Sequence, residues 1–389
     1  MQRIQSIDIF RGLTIFVMVF VNDVAGVSGL PDWMYHAAAD ADAMTYVDIV
    51  FPAFLIIVGM SIPLAMQRRQ EKGESLYKTF QHVAIRTTGL IVLGVFMVNA
   101  EEMNVQANLI PKSWWNVLFY LSAIAIWNQY PRDQGSKKNL FRLLQISGIV
   151  TLVILAFLYR KGEHDALTGM TTSWWGILGL IGWAYLISII IYFISKGSLS
   201  FLIAIFCLLL FISLGLNDPD LQQLQWLKAQ SGHLVHSSLT VSGIILTILL
   251  QKGNSSNGVA NSIKWILVLA GFSFLAGYFL RPVIGLSKIY ATPTWALYSI
   301  GWSCLVFAAV HWLVEIKGIK DWAGFLKPAG TNPLLTYILP YIYYAIVGFG
   351  FWPAILNQGV AGILRSIVFS LLVLWIANLL TKKGVRLRL

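Results

Sequence analysis

Apolar residues in this chain fall in long blocks separated by short polar breaks, as in Leu13–Val21, Leu90–Val98 and Leu199–Leu214. The blocks show no period-two alternation, which excludes a β-barrel built from alternating segments of about ten residues. They are long enough to cross a hydrocarbon layer as helices, which takes about 20 residues. Counting blocks between polar breaks predicts twelve spans, at roughly 7–27, 45–66, 80–99, 114–130, 141–159, 174–195, 199–216, 236–251, 263–280, 295–314, 331–350 and 361–381, with 10 to 12 compatible with the pattern. The expected fold is an all-α polytopic transmembrane helical bundle. The longest inter-span stretch, about 217–235, is too short to bury a core of its own. Residues 1–389 therefore read as a single integral-membrane domain in a lipid bilayer. The first block is longer than a signal-peptide core and is followed by no small-residue cleavage site, so it reads as a true span.

Composition agrees: 57% of the 389 residues are apolar and 12% charged, with 15 Trp and a mean hydropathy of +0.70. Charge then adds a direction. Of the 28 Lys and Arg residues, 21 fall in or within a turn or two of the loops on one side and 7 on the other, which predicts both termini in the cytoplasm. The net charge of +11 is accounted for by this one-sided placement and calls for no nucleic acid. Cys207 and Cys304 lie inside apolar blocks without paired spacing, so neither a disulfide framework nor a cysteine zinc site is expected. Ser-Trp-Trp at 113–115 and again at 173–175 marks a membrane interface or an internal duplication, and belt anchoring by tryptophan suffices to explain it.

Polar residues at membrane depth are costly, so each is a functional candidate. Asp8 and Arg11 share a helix face at the cytoplasmic boundary, where a structural ion pair is the simpler reading. Asn22 and Asp23 close the first span, and the outer loop Asp32–Asp42 follows, with one histidine, three carboxylates and no Lys or Arg. An imidazole ordinarily titrates near neutrality, which suits His36 to proton or acyl transfer. Asp48, at the head of the second span, is placed either to orient that ring or to meet the helix dipole. A metal site at His36, Asp40 and Asp42 is the weaker reading, with one nitrogen ligand on offer; no metal is expected. His233 and His236 form a second outer pair that binds substrate or is simply solvated. On the inner side Lys78, His82 and Arg86 repeat at four-residue spacing, and Arg86, the deepest, suits a phosphate or carboxylate. Asn332 follows Gly330-Thr331, where it either caps a helix or helps hold an anion.

Taken together, Asp8-Ile9-Phe10-Arg11-Gly12-Leu13, Met18-Val19-Phe20-Val21-Asn22, His36-Ala37 and Asp48-Ile49-Val50-Phe51-Pro52-Ala53-Phe54 resemble the transmembrane acyltransferases related to heparan-alpha-glucosaminide N-acetyltransferase, in a branch common in bacteria. Weaker echoes run through Arg86, Val98-Asn99, the stretch from Lys288 to Trp295, and Asn332-Pro333-Leu334-Leu335 with Tyr337. The resemblance implies a multi-pass protein of a bacterial inner membrane that takes acetyl from cytosolic acetyl-CoA and delivers it to an amino sugar or other saccharide acceptor on the far side. It implies His36 as base or acyl carrier with Asn22 beside it. Asp48 would then hold the imidazole, and Arg86, Lys78 and Asn332 would face the donor. Asp23, Lys288, Trp295 and His236 would face the acceptor. N- and O-acylation both stay open, as does a homodimer. The rival reading is a secondary transporter of a sugar or small organic solute, for which twelve spans with both termini inside is the usual layout. Against it stand the absence of similarity between the halves and the crowding of polar residues into the first two spans. A membrane scaffold without catalysis is a third reading, disfavoured by the ionisable groups at depth.

Overall fold

The structure is a computed structural model that describes residues 4–131, 137–163, 166–216, 228–257, 259–348 and 351–388. Arg3 and Arg132, used in the charge count, and the stretch 217–227 of the longest loop lie outside the described residues. Every predicted apolar block becomes a helix. In chain order these are α1 (Gln5–Val24), α2 (Val47–Glu71), α3 (Leu76–Glu102), α4 (Lys112–Trp127), α5 (Lys138–Leu158), α6 (Gly176–Ser195) and α7 (Leu199–Leu216). There follow α8 (Ser231–Asn257), α9 (Val259–Ile284), α10 (Pro293–His311), the short α11 (Lys327–Thr331), α12 (Pro333–Val347) and α13 (Gly359–Lys382). No β-strand forms among the described residues; four isolated bridges tie loops together. Among the described residues nine helices are long and apolar enough to cross a membrane: α2, α3, α5 to α10 and α13. Of the remaining predicted spans, α4 and α12 are short, at 16 and 15 residues, and α1 carries Asp8, Arg11 and Asp23 along its 20. The chain is a polytopic helical bundle.

Burial sorts the helices into centre and perimeter. Of the apolar window in α8, 83% is buried inside the protein, against 17% in α5 and 22% in α9, so α8 is central and the other two turn most of their apolar surface outward. Phe157 on α5, Phe211 on α7, and Tyr278 and Phe279 on α9 are among the outward side chains. Such a surface is stable only against lipid, since water would oppose it at about 25 cal/mol per Å².

Two helices position everything that follows. At the middle of α2, Gly59 lies so close to α8 that a Cβ would overlap the Thr240 carbonyl, and one on Gly243 would overlap the Ile56 carbonyl. Reciprocal glycines thus let the two backbones touch, the usual route to tight packing inside a membrane. At one end of the bundle, α1 begins against the end of α10. The Ser6 N–H donates to Glu315 at 2.9 Å and the Ser6 hydroxyl meets His311 Nδ1 at 2.9 Å. Glu315 sits in a π-helical turn, Trp312–Ile316, that extends α10. At the other end, α1 and α2 are joined by a loop that folds back over the bundle.

Gly59→Val should separate α2 from α8. We expect a loss of about 1–3 kcal/mol or more from forced overpacking, read as a lower unfolding midpoint of the purified protein. An unchanged midpoint would show that the crossing is not tight.

Candidate functional site

At the end of the bundle where α1 leaves and α2 begins, the loop between them meets the loop between α9 and α10. Arg281 donates to Asp42 Oδ2 at 3.0 Å and to its carbonyl at 2.6 Å, and the Ser287 hydroxyl donates to the Ala39 carbonyl at 2.8 Å. The first loop is braced from within, since the Tyr35 hydroxyl donates to the Val27 carbonyl at 2.5 Å and the Thr45 hydroxyl to the Tyr35 carbonyl at 2.7 Å.

His36, Asp48 and Lys288 converge where these loops meet. Asp48 is 1% exposed and accepts from the backbone N–H groups of Thr45 at 2.9 Å and Ala37 at 3.2 Å. Its Oδ1 lies 2.7 Å from His36 Nδ1. A carboxylate accepts only, so this contact places the ring proton on Nδ1 and leaves the Nε2 lone pair outward. Lys288 Nζ stands about equally close to both ring nitrogens, 3.1 Å from Nδ1 and 3.2 Å from Nε2, and so lies against the ring rather than on the Nε2 lone pair; it is 3.9 Å from Asp48 Oδ1. Burial pulls the Lys288 pKa below its ordinary value, opposed by the charge of Asp48. The His36 side chain is 46% exposed, so a substrate can reach it. The arrangement is a polarised imidazole held by a buried carboxylate beside a cation, which can take a proton from a nucleophile or carry an acyl group.

The other residues expected at this end lie at different depths. Trp295 is fully buried; its indole N–H donates to the Asp48 carbonyl at 3.1 Å, locking α10 to the head of α2. His236 packs edge-on between Trp295 and Phe51, at centroid distances of 6.0 and 5.3 Å, and so lies beneath the cluster. Among the described residues no hydrogen bond joins Asn22 to His36 or Asp48; Asn22 is half-buried near the end of α1. Asp23 belongs to a separate buried network. Arg365 pairs with it at 2.8 Å, the Tyr344 hydroxyl donates to it, and the Arg365 guanidinium lies 5.9 Å from the Trp352 ring.

The opposite end holds a cavity of about 900 Å³ between α1, α2, α11, α13 and the chain end. Its lining includes Arg11, Arg68, Lys327, Lys382, Arg386 and Arg388, against the single carboxylate of Asp8. Arg11 is tied down by Asp8 Oδ1 at 3.0 Å, the Ser61 hydroxyl at 2.8 Å and the Gly330 carbonyl at 3.3 Å. A Cβ on Gly330 would stand 2.6 Å from the Asp8 carbonyl, so glycine lets α11 close against α1 here.

The residues expected to face the donor lie outside this lining. Lys78 is exposed at the start of α3. Arg86 lays its guanidinium 4.7 Å over the Tyr185 ring of α6, with Nε buried and unpartnered among the described residues. Asn332 is 1% exposed and sits behind the cavity wall, where its amide holds the C-terminal segment. Apart from Arg11, read with Asp8 as an ion pair, the cavity cations were legible only as topological charge, because sequence spacing does not bring residues 382–388 next to residue 11.

The class these features define is a polytopic helical membrane protein with a histidine–aspartate–lysine cluster at one end and a cationic cavity at the other. The chain belongs to the family described as "Domain of unknown function (DUF5009)", which matches residues 3–229. It is also 36% identical over 112 residues to the heparan-alpha-glucosaminide N-acetyltransferase of Homo sapiens, covering 29% of this chain and 15% of the human protein. The Mus musculus protein of the same name matches at the same identity and length, over 16% of its own chain. The chain thus aligns with about a sixth of the length of these curated relatives and is related to that acetyltransferase family.

The depressed Lys288 pKa is open to direct measurement. In protein reductively methylated with labelled formaldehyde, the Lys288 resonance, assigned by its loss in Lys288→Arg, should titrate below the ordinary lysine value. Asp48→Asn should move it lower still, because the carboxylate favours the ammonium. A resonance titrating at or above the ordinary value would remove this cation from a desolvated site.

Proposed function

We propose that this protein is a membrane acyltransferase of the bacterial branch of that family, working from an inner membrane. It moves acetyl from cytosolic acetyl-CoA to an amino sugar or other saccharide on the extracytoplasmic side. The observation that carries the reading is the accessible His36 imidazole, held by the buried Asp48 carboxylate beside Lys288, at the opposite end of the α1–α2 pair from the cationic cavity. The 36% identity to a named acetyltransferase supports it. The 21-to-7 split of basic residues supports an orientation with the cavity end in the cytosol.

In this reading the cavity receives the phosphates of the donor, and the thioester extends along the α1–α2 seam. Thirteen helical residues separate Asp48 from Ser61, a rise of about 20 Å. His36 Nε2 takes the proton of the acceptor amine or hydroxyl as its nitrogen or oxygen attacks the thioester carbonyl carbon. Lys288 Nζ leaves the ring to meet the oxyanion. The tetrahedral intermediate then collapses. The carbon–sulfur bond breaks, the CoA thiolate leaves, and the imidazolium returns its proton to that sulfur. In the two-step variant Nε2 itself attacks, the carbon–sulfur bond breaks and the CoA thiolate leaves; the acceptor then attacks the acetyl-imidazole, the Nε2–carbonyl bond breaks to free the ring, and the acceptor's proton goes to the thiolate.

Sealed inside-out vesicles loaded with candidate amino sugars and given labelled acetyl-CoA outside should accumulate acetylated sugar. His36→Ala should lower that rate by about 10²–10⁴-fold while leaving CoA affinity nearly intact. Uptake of unmodified sugar with no acetyl transfer would overturn the reading in favour of a transporter. Orientation is tested separately. Cysteines replacing Ala38 and Gln70, in a background without Cys207 and Cys304, should react from opposite sides with an impermeant reagent; same-sided labelling would overturn the layout.

A further inference from the structure

Residues 383–388 do not trail away from the bundle. After α13 ends at Lys382, the chain turns at Gly384, with φ at 93°, and runs back along the cavity mouth. It is sewn in place on two sides. Asn332 Nδ2 donates to the Val385 carbonyl at 2.9 Å, and its Oδ1 accepts from the Leu387 N–H at 3.1 Å. From the end of α4, Asn128 Oδ1 accepts from the Arg386 N–H at 2.8 Å, the Gln129 N–H donates to the Arg386 carbonyl at 2.8 Å, and the Trp127 carbonyl accepts from the Arg388 N–H at 3.1 Å. Leu387 is buried at 5% exposure and anchors the segment, while Arg386 and Arg388 on either side of it line the cavity.

Fixing the backbone of several residues costs conformational entropy, and here it brings two guanidinium groups into a cavity already lined by Arg11, Arg68, Lys327 and Lys382. Like charges gathered around one hollow repel, and an anion with several negative oxygens reverses the sign of that energy. Guanidinium forks pair with phosphate in bidentate geometry, which makes the tail arginines selective rather than merely attractive.

We propose that the C-terminal segment 383–388 is a built-in strap whose Arg386 and Arg388 select a donor carrying phosphate groups, with Asn332 as the residue that positions it. The proposal rests on the acyltransferase reading for the identity of the donor. The strap would then make the enzyme discriminate for a nucleotide-bearing thioester and against a phosphate-free thioester of the same acyl group.

The test compares acetyl-CoA with acetylpantetheine in purified full-length protein in nanodiscs. For R386Q/R388Q the ratio of kcat/KM on acetyl-CoA to that on acetylpantetheine should fall at least about tenfold, the loss expected from charge-assisted contacts. Asn332→Ala should lower the same ratio, whereas a merely misfolded variant loses both substrates together. A ratio unchanged in the folded double variant overturns the proposal. Direct binding separates this from failure of the acyltransferase reading. Should the wild type transfer no acetyl, calorimetric titration of CoA into wild type and R386Q/R388Q still reads the strap, and equal affinities overturn it. Repeating the titration in nanodiscs of neutral and of anionic lipid separates the two sources of phosphate. CoA binding abolished by anionic lipid would assign the cavity to a headgroup and overturn the proposal; binding retained in both supports it.

Discussion

A carboxylate buried to 1% exposure must be met by protein donors, and Asp48 at the head of α2 imposes that requirement on everything around it. Two backbone N–H groups, from Ala37 and Thr45, reach it only if the α1–α2 loop folds back over the bundle instead of leaving it. Its remaining valence takes His36, and the cation that balances it comes from Lys288 on a loop 240 residues away in sequence. The carbonyl of the same residue takes the Trp295 indole. Loss of any one partner leaves a buried charge short of compensation, at a cost of about 3–5 kcal/mol for a true buried ion pair. The geometry of the loops is therefore a consequence of solvating one carboxylate.

The helix that carries Asp48 also carries the far site. Ser61, thirteen positions on, accepts from Arg11, and Arg68 follows two turns later in the cavity wall. Because Gly59 presses α2 against α8 between these points, the helix cannot tilt without disturbing both ends. The two ends differ in electrostatic balance. Around His36 one carboxylate meets one lysine, whereas the cavity lining holds six cations against Asp8. In the proposed reading the first moves a proton and the second holds an anion, and α2 keeps them in register.

What the sequence made legible follows from which physics is local. The apolar blocks became helices because bilayer thickness sets the length of each block, whatever its neighbours. His36 and Asp48 were visible because each interrupts an otherwise apolar or anionic pattern. Thr45 was not, since a threonine in a loop carries no signal until its N–H and hydroxyl are seen turned toward the carboxylate. Arg86 looked like a phosphate ligand because an arginine at depth must have a partner; that partner is the face of Tyr185, which only the packing of α3 on α6 could reveal. Asn332 read as a cap or anion holder, and its amide instead grips the returning chain end. Arg386 and Arg388 were counted as inner-side charge because no local rule says that a chain end folds back.

Two buried carboxylates at the same end of the bundle show why burial alone does not mark a site. Asp23 is 3% exposed and Asp48 1%, and both face a cation. Both Asp23 oxygens are taken from within the bundle: Arg365, itself only 7% exposed, takes one, the Tyr344 hydroxyl takes the other, and Trp352 lies beside the guanidinium. The network ties α1 to α12 and α13. Asp48 hands its interaction to a ring that is nearly half exposed. A charge whose partners are all interior contributes to the fold, while a charge whose partner opens to solvent acts on what arrives there. By that criterion Asp23 works in the fold, and Asp48 is the carboxylate that the proposed acyl transfer would use, although their burial and residue type are alike.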